Sequence, residues 1–198
     1  TFGAAVGGGQ ALASLTTTGP TTLDANVTTT GGQTYNRAVI LGAIDTLAST
    51  NSPIEFGGTL DGAATGAQFL TVNAGTGTVT FGGIVGGVHP LSGLLVTGPT
   101  TLDASVTTTG TQTYNNVVTL GGNATLTTNN AAITLDANVV GGNNSLALSS
   151  GSGLQTLNGI TTNGNLTLIS SVPVDLFSGT YTILGGGSPY AFPAVTIN

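Results

Sequence analysis

A long internal repeat constrains the fold of this chain more than any other feature. The segment at residues 21–31 recurs at residues 100–110, which is a sequence offset of 79. Across that offset about 30 of the first 50 positions are identical, beginning with residues 1–3 against residues 80–82. A period of this kind is typical of repeat proteins, in which each unit buries its apolar surface against its neighbours.

A shorter spacing lies inside the long one. A Leu or Phe followed by a two-residue corner, usually of Gly, Asp, Asn or Ala, recurs at sequence intervals of 21, 18, 15, 25, 21, 18, 15 and 22. These nine anchor residues are Phe2, Leu23, Leu41, Phe56, Phe81, Leu102, Leu120, Leu135 and Leu157. We interpret each interval as one coil, so that a 79-residue unit comprises four coils of unequal length.

The residues just before each anchor alternate between apolar and polar. Val118 and Ile133, for example, stand two residues before their anchors, and Thr119 and Thr134 stand between. This alternation is the signature of a strand with one buried and one wet face. We therefore expect the anchors to line one interior column and the preceding Thr residues to face water.

Short strands and sharp corners that recur at one register predict a parallel β-helix. Gly, Asp and Asn suit sharp corners, and in-register stacking at ~4.8 Å places like residues on like. An antiparallel sandwich has no such need for matching registers. The prediction is an all-β β-solenoid of about nine coils of 15–25 residues over residues 1–170, with repeat units at residues 1–79 and 80–155.

The chain carries almost no charge. It has one Arg, no Lys and seven acidic residues, for a net charge of -6. One cation cannot neutralise phosphates, so we expect no binding to nucleic acid or to anionic membranes. It also lacks an apolar run of roughly 18 residues, the length that would predict a transmembrane helix. Cys and Met are absent, so neither disulfides nor oxidisable sulfur is present, which suits an extracellular location.

The C-terminal segment, residues 171–198, breaks the pattern. It contains three of the seven Pro residues and four of the ten aromatic residues. We therefore expect a different element here, either a C-terminal cap or a segment that docks onto another subunit. The candidate self-association residues are Phe177, Tyr181, Tyr190 and Phe192.

Residues suited to catalysis or metal binding are scattered. His89 is the only His, so a base or metal role is not expected. Asp24, Asp103 and Asp136 occupy one register and could suggest calcium, but they lie too far apart to form one site, and we interpret them as corner residues. The Ser and Thr residues lack a basic partner. We expect no enzyme activity, no cofactor and no metal site.

Residues 29–36 and 108–115 share the pattern Thr-Thr-Gly-x-Gln-Thr-Tyr-Asn, followed by Val-x-Leu-Gly and then Asp or Ala with Thr-Leu. With these motifs, residues 1–170 resemble the β-strand repeats of large bacterial surface proteins, the filamentous-haemagglutinin-like adhesins exported by two-partner secretion and related autotransporter passengers. The resemblance implies a right-handed β-helix, export across the outer membrane, and adhesion, aggregation or matrix building. The Asn-Pro-Asn signature of the secretion domain and a signal peptide are both absent, so we interpret the chain as a piece of a longer protein.

Three functions follow from these patterns. The one we favour is an extracellular structural or adhesive module, a stalk or filament subunit on the bacterial surface that contacts itself, neighbouring repeats, or a host or matrix surface. An ice-binding β-helix could use the outward Thr column, which Ile40 and Glu55 interrupt. A β-helical polysaccharide lyase or hydrolase is disfavoured because it needs clustered carboxylates or basic residues.

Overall fold

The computed structural model describes residues 1–176 and 181–183, and all regular secondary structure in them is β. Every strand pairing there is parallel. The predicted all-β parallel β-helix is confirmed, and the architecture is consistent with the right-handed form that the resemblance implies.

The strands stack into three lateral sheets. The nine-stranded sheet contains, in spatial order, β1 (Leu15–Thr17), β4 (Gln33–Tyr35), β7 (Ile54–Phe56), β10 (Val79–Phe81), β12 (Thr100–Leu102), β15 (Val118–Leu120), β18 (Val139–Gly142), β21 (Ile160–Thr162) and β24 (Tyr181–Ile183). The eight-stranded sheet contains β3 (Val27–Thr29), β6 (Asp45–Ser49), β9 (Phe69–Asn73), β11 (Gly93–Val96), β14 (Gln112–Tyr114), β17 (Ile133–Leu135), β20 (Gln155–Leu157) and β23 (Asp175–Leu176).

The third sheet, which we call the split sheet, has two parts. One part contains β2 (Thr21–Leu23), β5 (Val39–Leu41) and β8 (Leu60–Gly62), and the other contains β13 (Val106–Thr107), β16 (Ala124–Thr127), β19 (Leu146–Gly151) and β22 (Leu166–Ser170). Val85 joins the parts because it bridges Leu60 on one side and Val106 on the other. Val85 therefore acts as one more strand position on this face.

The chain visits the three sheets in a fixed order, so three strand positions make one turn. Strands of the nine-stranded sheet begin at residues 15, 33, 54, 79, 100, 118, 139, 160 and 181, which gives eight turns whose sequence lengths lie between 18 and 25. Residues 1–14 form a less regular first turn, in which Phe2, Val6 and Leu12 bridge to the turn that follows. The predicted 15-residue coils are wrong, because each 15-residue interval runs only from one sheet to another.

The 79-residue repeat does not contain a whole number of turns. From β2 to its sequence equivalent β12 the chain advances eleven strand positions, counting Val85, and three positions per turn make 3⅔ turns. The equivalent strands consequently lie on different faces: β2 is in the split sheet and β12 is in the nine-stranded sheet. The predicted four-coil unit is wrong for this reason.

The anchor residues point inward, but they form three columns instead of one. Phe2, Leu23 and Leu41 stack in the split sheet, Phe56, Phe81, Leu102 and Leu120 in the nine-stranded sheet, and Leu135 and Leu157 in the eight-stranded sheet. All except Phe2, which is partly buried, lie in the core. The residues just before the anchors are exposed or half-buried, so the inside and outside assignment is confirmed.

Aromatic rings fill part of the column in the nine-stranded sheet. Tyr35, Phe56 and Phe81 are fully buried, and each consecutive pair of ring centroids is 5.3 Å apart with nearly parallel planes. Leu102 and Leu120 continue the same column in the next two turns. The predicted internal stack of Phe56 on Phe81 is confirmed, and it leaves no ring face for a ligand.

Three buried Gln side chains link consecutive turns from inside. The Gln112 Nε2 donates to the carbonyl oxygens of Val106 and Thr127, at 3.2 and 2.8 Å, and to the Thr108 hydroxyl at 3.3 Å. Gln33 and Gln155 make the same kind of contacts at their own corners. Each amide thus satisfies carbonyls of two successive turns where the ladder bends, so the rod can bury its corners.

Candidate functional site

The aromatic residues predicted for self-association lie mostly outside the described residues. Three of them, Phe177, Tyr190 and Phe192, lie outside the described residues. The fourth, Tyr181, begins β24, and its backbone pairs in register with Ile160. Strands β23 and β24 extend the two large sheets beyond Ser170. The proposed role of residues 171–198 as a cap or docking segment stays a prediction.

A ladder of Thr residues follows the outside of the nine-stranded sheet. At the outward position of its first eight strands the residues are Thr16, Thr34, Glu55, Thr80, Thr101, Thr119, Val140 and Thr161. All eight are exposed or half-buried. Six Thr residues in eight rungs place hydroxyl and methyl groups at the strand spacing of ~4.8 Å.

The eight-stranded sheet carries a second ladder of this kind. Its outward residues from β6 onward are Thr46, Thr71, Leu95, Thr113, Thr134, Thr156 and Asp175, and all are half-buried. The single Thr column expected from the sequence is therefore divided among the faces. The three-residue strands of the nine-stranded sheet, such as β10, β12 and β15, turn one side chain outward per rung, so the Thr ladder there is one residue wide.

The nine-stranded sheet ends in an open edge at β1, which has one neighbour among the described strands. The Leu15 N–H donates to the Gly32 carbonyl and the Thr17 carbonyl accepts from the Asn36 N–H, both at 3.0 Å. Since successive residues of a strand direct their backbone groups to opposite sides, the N–H and C=O of Thr16 point away from β4. This edge can accept another parallel strand.

The three Asp residues that seemed to share a register lie after strands of three different sheets. Asp24 follows β2, Asp103 follows β12 and Asp136 follows β17, so the predicted shared register is wrong. The chain advances 3⅔ turns from β2 to β12 and, over five further strand positions, 1⅔ turns from β12 to β17. The Asp24 Oδ1 occupies the space that a Cβ on Gly42 would need, and Asp103 has the same relation to Gly121. These carboxylates therefore require Gly at the next corner.

His89 lies in an exposed loop beside the split sheet. Its Nδ1 is 3.3 Å from the Thr65 hydroxyl, and its backbone N–H, like that of Val88, donates to the Asp61 Oδ1. Across the described residues no group of three or more His, Cys, Asp or Glu side chains is placed to hold a metal ion. The same residues contain no helix long and apolar enough to span a membrane.

Asp45 is a buried acid that sequence reasoning missed. It occupies the first inward position of β6, it is 1% exposed, and neither carboxylate oxygen has a hydrogen-bond partner. Burial, and then the Asp24 carboxylate, raise the pKa of Asp45 to about 6. Burial and then Asp45 also raise the pKa of the Tyr35 phenol. An alignment of the two repeat units could have revealed this acid, because the equivalent residue 79 positions later is the apolar Ala124.

Comparisons with protein-family models, with curated proteins and with solved structures find no significant match.

Proposed function

We propose that this chain is an extracellular structural or adhesive module, a stalk or filament segment of a bacterial surface protein that acts by self-association or surface contact without catalysis. The observation that carries the proposal is the continuous parallel ladder of the nine-stranded sheet, which ends in an open edge at β1. A second copy, or preceding repeats of a longer chain, would extend that ladder with the same backbone pairing. The resemblance to filamentous-haemagglutinin-like repeats supports the assignment to a secreted surface protein.

The composition of the edge favours pairing with another strand. Natural edge strands are commonly protected by Lys, Pro or a bulge, and Leu15–Thr17 has none of these. The chain has no Lys, and only one Arg and seven acidic residues, so few charges oppose the approach of a second copy. Because backbone pairing and apolar burial would carry the contact, association should depend little on salt.

The proposal predicts that Thr16→Pro reduces end-to-end association. Proline removes the N–H that points away from β4 and leaves the β1–β4 hydrogen bonds of Leu15 and Thr17 in place. Thr16→Ala keeps the N–H and is the matched control. In sedimentation velocity and electron microscopy, the wild type and Thr16→Ala should form oligomers or fibres at high concentration, and Thr16→Pro should shift toward monomers.

A version of the chain that ends at Ser170 tests whether the C-terminal segment, residues 171–198, contributes to association. If residues 171–198 dock onto another subunit, the shortened chain should associate less than the full chain and unfold cooperatively. A full chain that stays monomeric at high concentration, or a Thr16→Pro variant that associates like Thr16→Ala, would contradict self-association through this edge.

A second candidate function is ice binding, and the Thr ladder of the nine-stranded sheet favours it. Thr80, Thr101 and Thr119 are consecutive rungs, so their hydroxyl and methyl groups repeat at ~4.8 Å on one side of the rod. A regular uncharged array can match a crystalline surface where scattered polar groups cannot.

Ice binding predicts that the protein inhibits ice recrystallisation and that Thr101→Lys abolishes this inhibition. Lysine would raise a long charged side chain above the middle of the ladder. The matched control is Thr134→Lys, which places the same side chain on the eight-stranded sheet. An inactive wild type, or equal loss in both variants, would exclude this face as an ice-binding surface.

A further inference from the structure

Among the described residues, the interior of the rod contains one buried carboxylate, Asp45. Asp45 is 1% exposed, and its inward column continues with Leu70 and Leu94 in the next two turns. Neither of its oxygens accepts a hydrogen bond. Burying an unpaired carboxylate is costly, so the neutral acid is the form that this site favours.

The second repeat unit provides an internal reference for this site. Gly42, Asp24 and Asn26 of the first corner correspond to Gly121, Asp103 and Ser105 of the second. The local geometry is retained: Asn26 Oδ1 accepts the Thr46 N–H at 2.7 Å, and Ser105 Oγ accepts the Thr125 N–H at 3.1 Å. Ala124, which replaces Asp45, is 4% exposed. The same corner therefore closes without a carboxyl group.

The groups around Asp45 oppose its ionisation. The Asp24 carboxylate, after β2 in the preceding turn, adds a negative charge that disfavours a second one. From β4, the Tyr35 phenol interacts electrostatically with Asp45, but its hydroxyl donates to the Gln33 Oε1 at 3.0 Å. Arg37, the only Arg or Lys of the sequence, is exposed in the corner after β4 and does not supply a hydrogen bond to either oxygen of Asp45.

We infer that Asp45 is a built-in acid sensor, whose protonation in mildly acidic surroundings stabilises the first turns of the rod. No ligand other than the proton is required. The first turns include β1, so acid would also strengthen association through the open edge. That second effect rests on the proposed function, whereas the stabilisation does not.

The sign of the effect follows from the two pKa values. The pKa is about 6 in the folded chain and 3.8 for a free side chain, so between these values the folded state holds a proton that the unfolded state lacks. The stabilisation is complete below the unfolded value, and it is lost as pH rises through 6. Each pKa unit corresponds to a tenfold change, so the unfolding equilibrium constant should be roughly 10- to 100-fold smaller at pH 4.5 than at pH 7.

Denaturant unfolding of the wild type and Asp45→Ala between pH 4.5 and 7 tests the inference. Asp45→Ala, which copies Ala124, should lose the pH dependence specific to Asp45, and the difference between the two chains removes the contribution of the other acids. Asp103→Asn is the control. It removes the corner carboxylate of the second unit, where Ala124 stands in place of Asp45, and it should keep the pH dependence of stability that is specific to Asp45. Equal slopes for wild type and Asp45→Ala would overturn the inference.

A direct titration covers the case in which Asp45→Ala does not fold. The carboxyl carbon resonance of Asp45, followed by NMR in the wild type, should titrate well above 3.8, the pKa of a free Asp side chain, and a midpoint near 4 would also overturn the inference. Sedimentation at pH 5 and pH 7 then tests the association separately. If the chain is monomeric at both values while its stability depends on pH as expected, self-association through the open edge fails and the sensor stands.

Discussion

Leu120→Asp is expected to lower the free energy of unfolding by about 4 kcal/mol or more, whereas Thr119→Asp should change it by under about 1 kcal/mol. Leu120 is 4% exposed and lies in the inward column of the nine-stranded sheet, above Leu102. An Asp there would put a carboxylate in place of a side chain that packs in the hydrophobic core. Thr119 is exposed on the outward ladder, so a carboxylate at that position stays hydrated.

Urea unfolding followed by circular dichroism, at pH 7 for both variants, measures the difference. The comparison is sharp because the two positions are adjacent in sequence and receive the same side chain. Comparable losses of stability for the two variants would contradict the assignment of inside and outside in this sheet.

Gln112→Ala should also be strongly destabilising, by about 3 kcal/mol or more. Its amide group donates to the carbonyls of Val106 and Thr127, and its Oε1 accepts from the Tyr114 hydroxyl at 3.3 Å. Truncation leaves these buried groups without that partner and opens a cavity between two turns.

Gln10→Ala is the matched control for this prediction, because Gln10 is exposed in the irregular first turn and the same atoms are removed. Its stability should remain within about 0.5 kcal/mol of the wild type. Differential scanning calorimetry of both variants gives the comparison, and a Gln112→Ala chain as stable as Gln10→Ala would show that the internal amide does not hold the turns together.

Local sequence patterns were sufficient to predict the strands and their buried faces. The alternation in Val118, Thr119 and Leu120 depends on the backbone of one strand alone, so it can be recognised without knowing the neighbours. The assignment of strands to columns could not be made in this way. Leu41 and Phe56 have the same local pattern, yet they lie in different sheets, because the number of strands per turn is a property of the closed cross-section.

The polar interior was harder to predict than the apolar interior. The Gln of the repeated Gln-Thr-Tyr motif stands at an inward position of its strand, but only the corner geometry shows that its amide faces two successive carbonyls. Asp45 could have been found by aligning the units, since an acid replaces the Ala of the other copy. The absence of a partner for its oxygens is visible only once the surrounding side chains are placed.

The fractional turn count of the repeat has a consequence for any longer array of such units. Each unit would advance by about 18 Å along the axis and rotate its features by one third of a revolution, at ~4.8 Å per turn. The same azimuth would return only after three units, which make eleven turns and about 53 Å. A motif copied in every unit would thus wind around the rod as a spiral stripe, and a partner that recognises it could approach from any side.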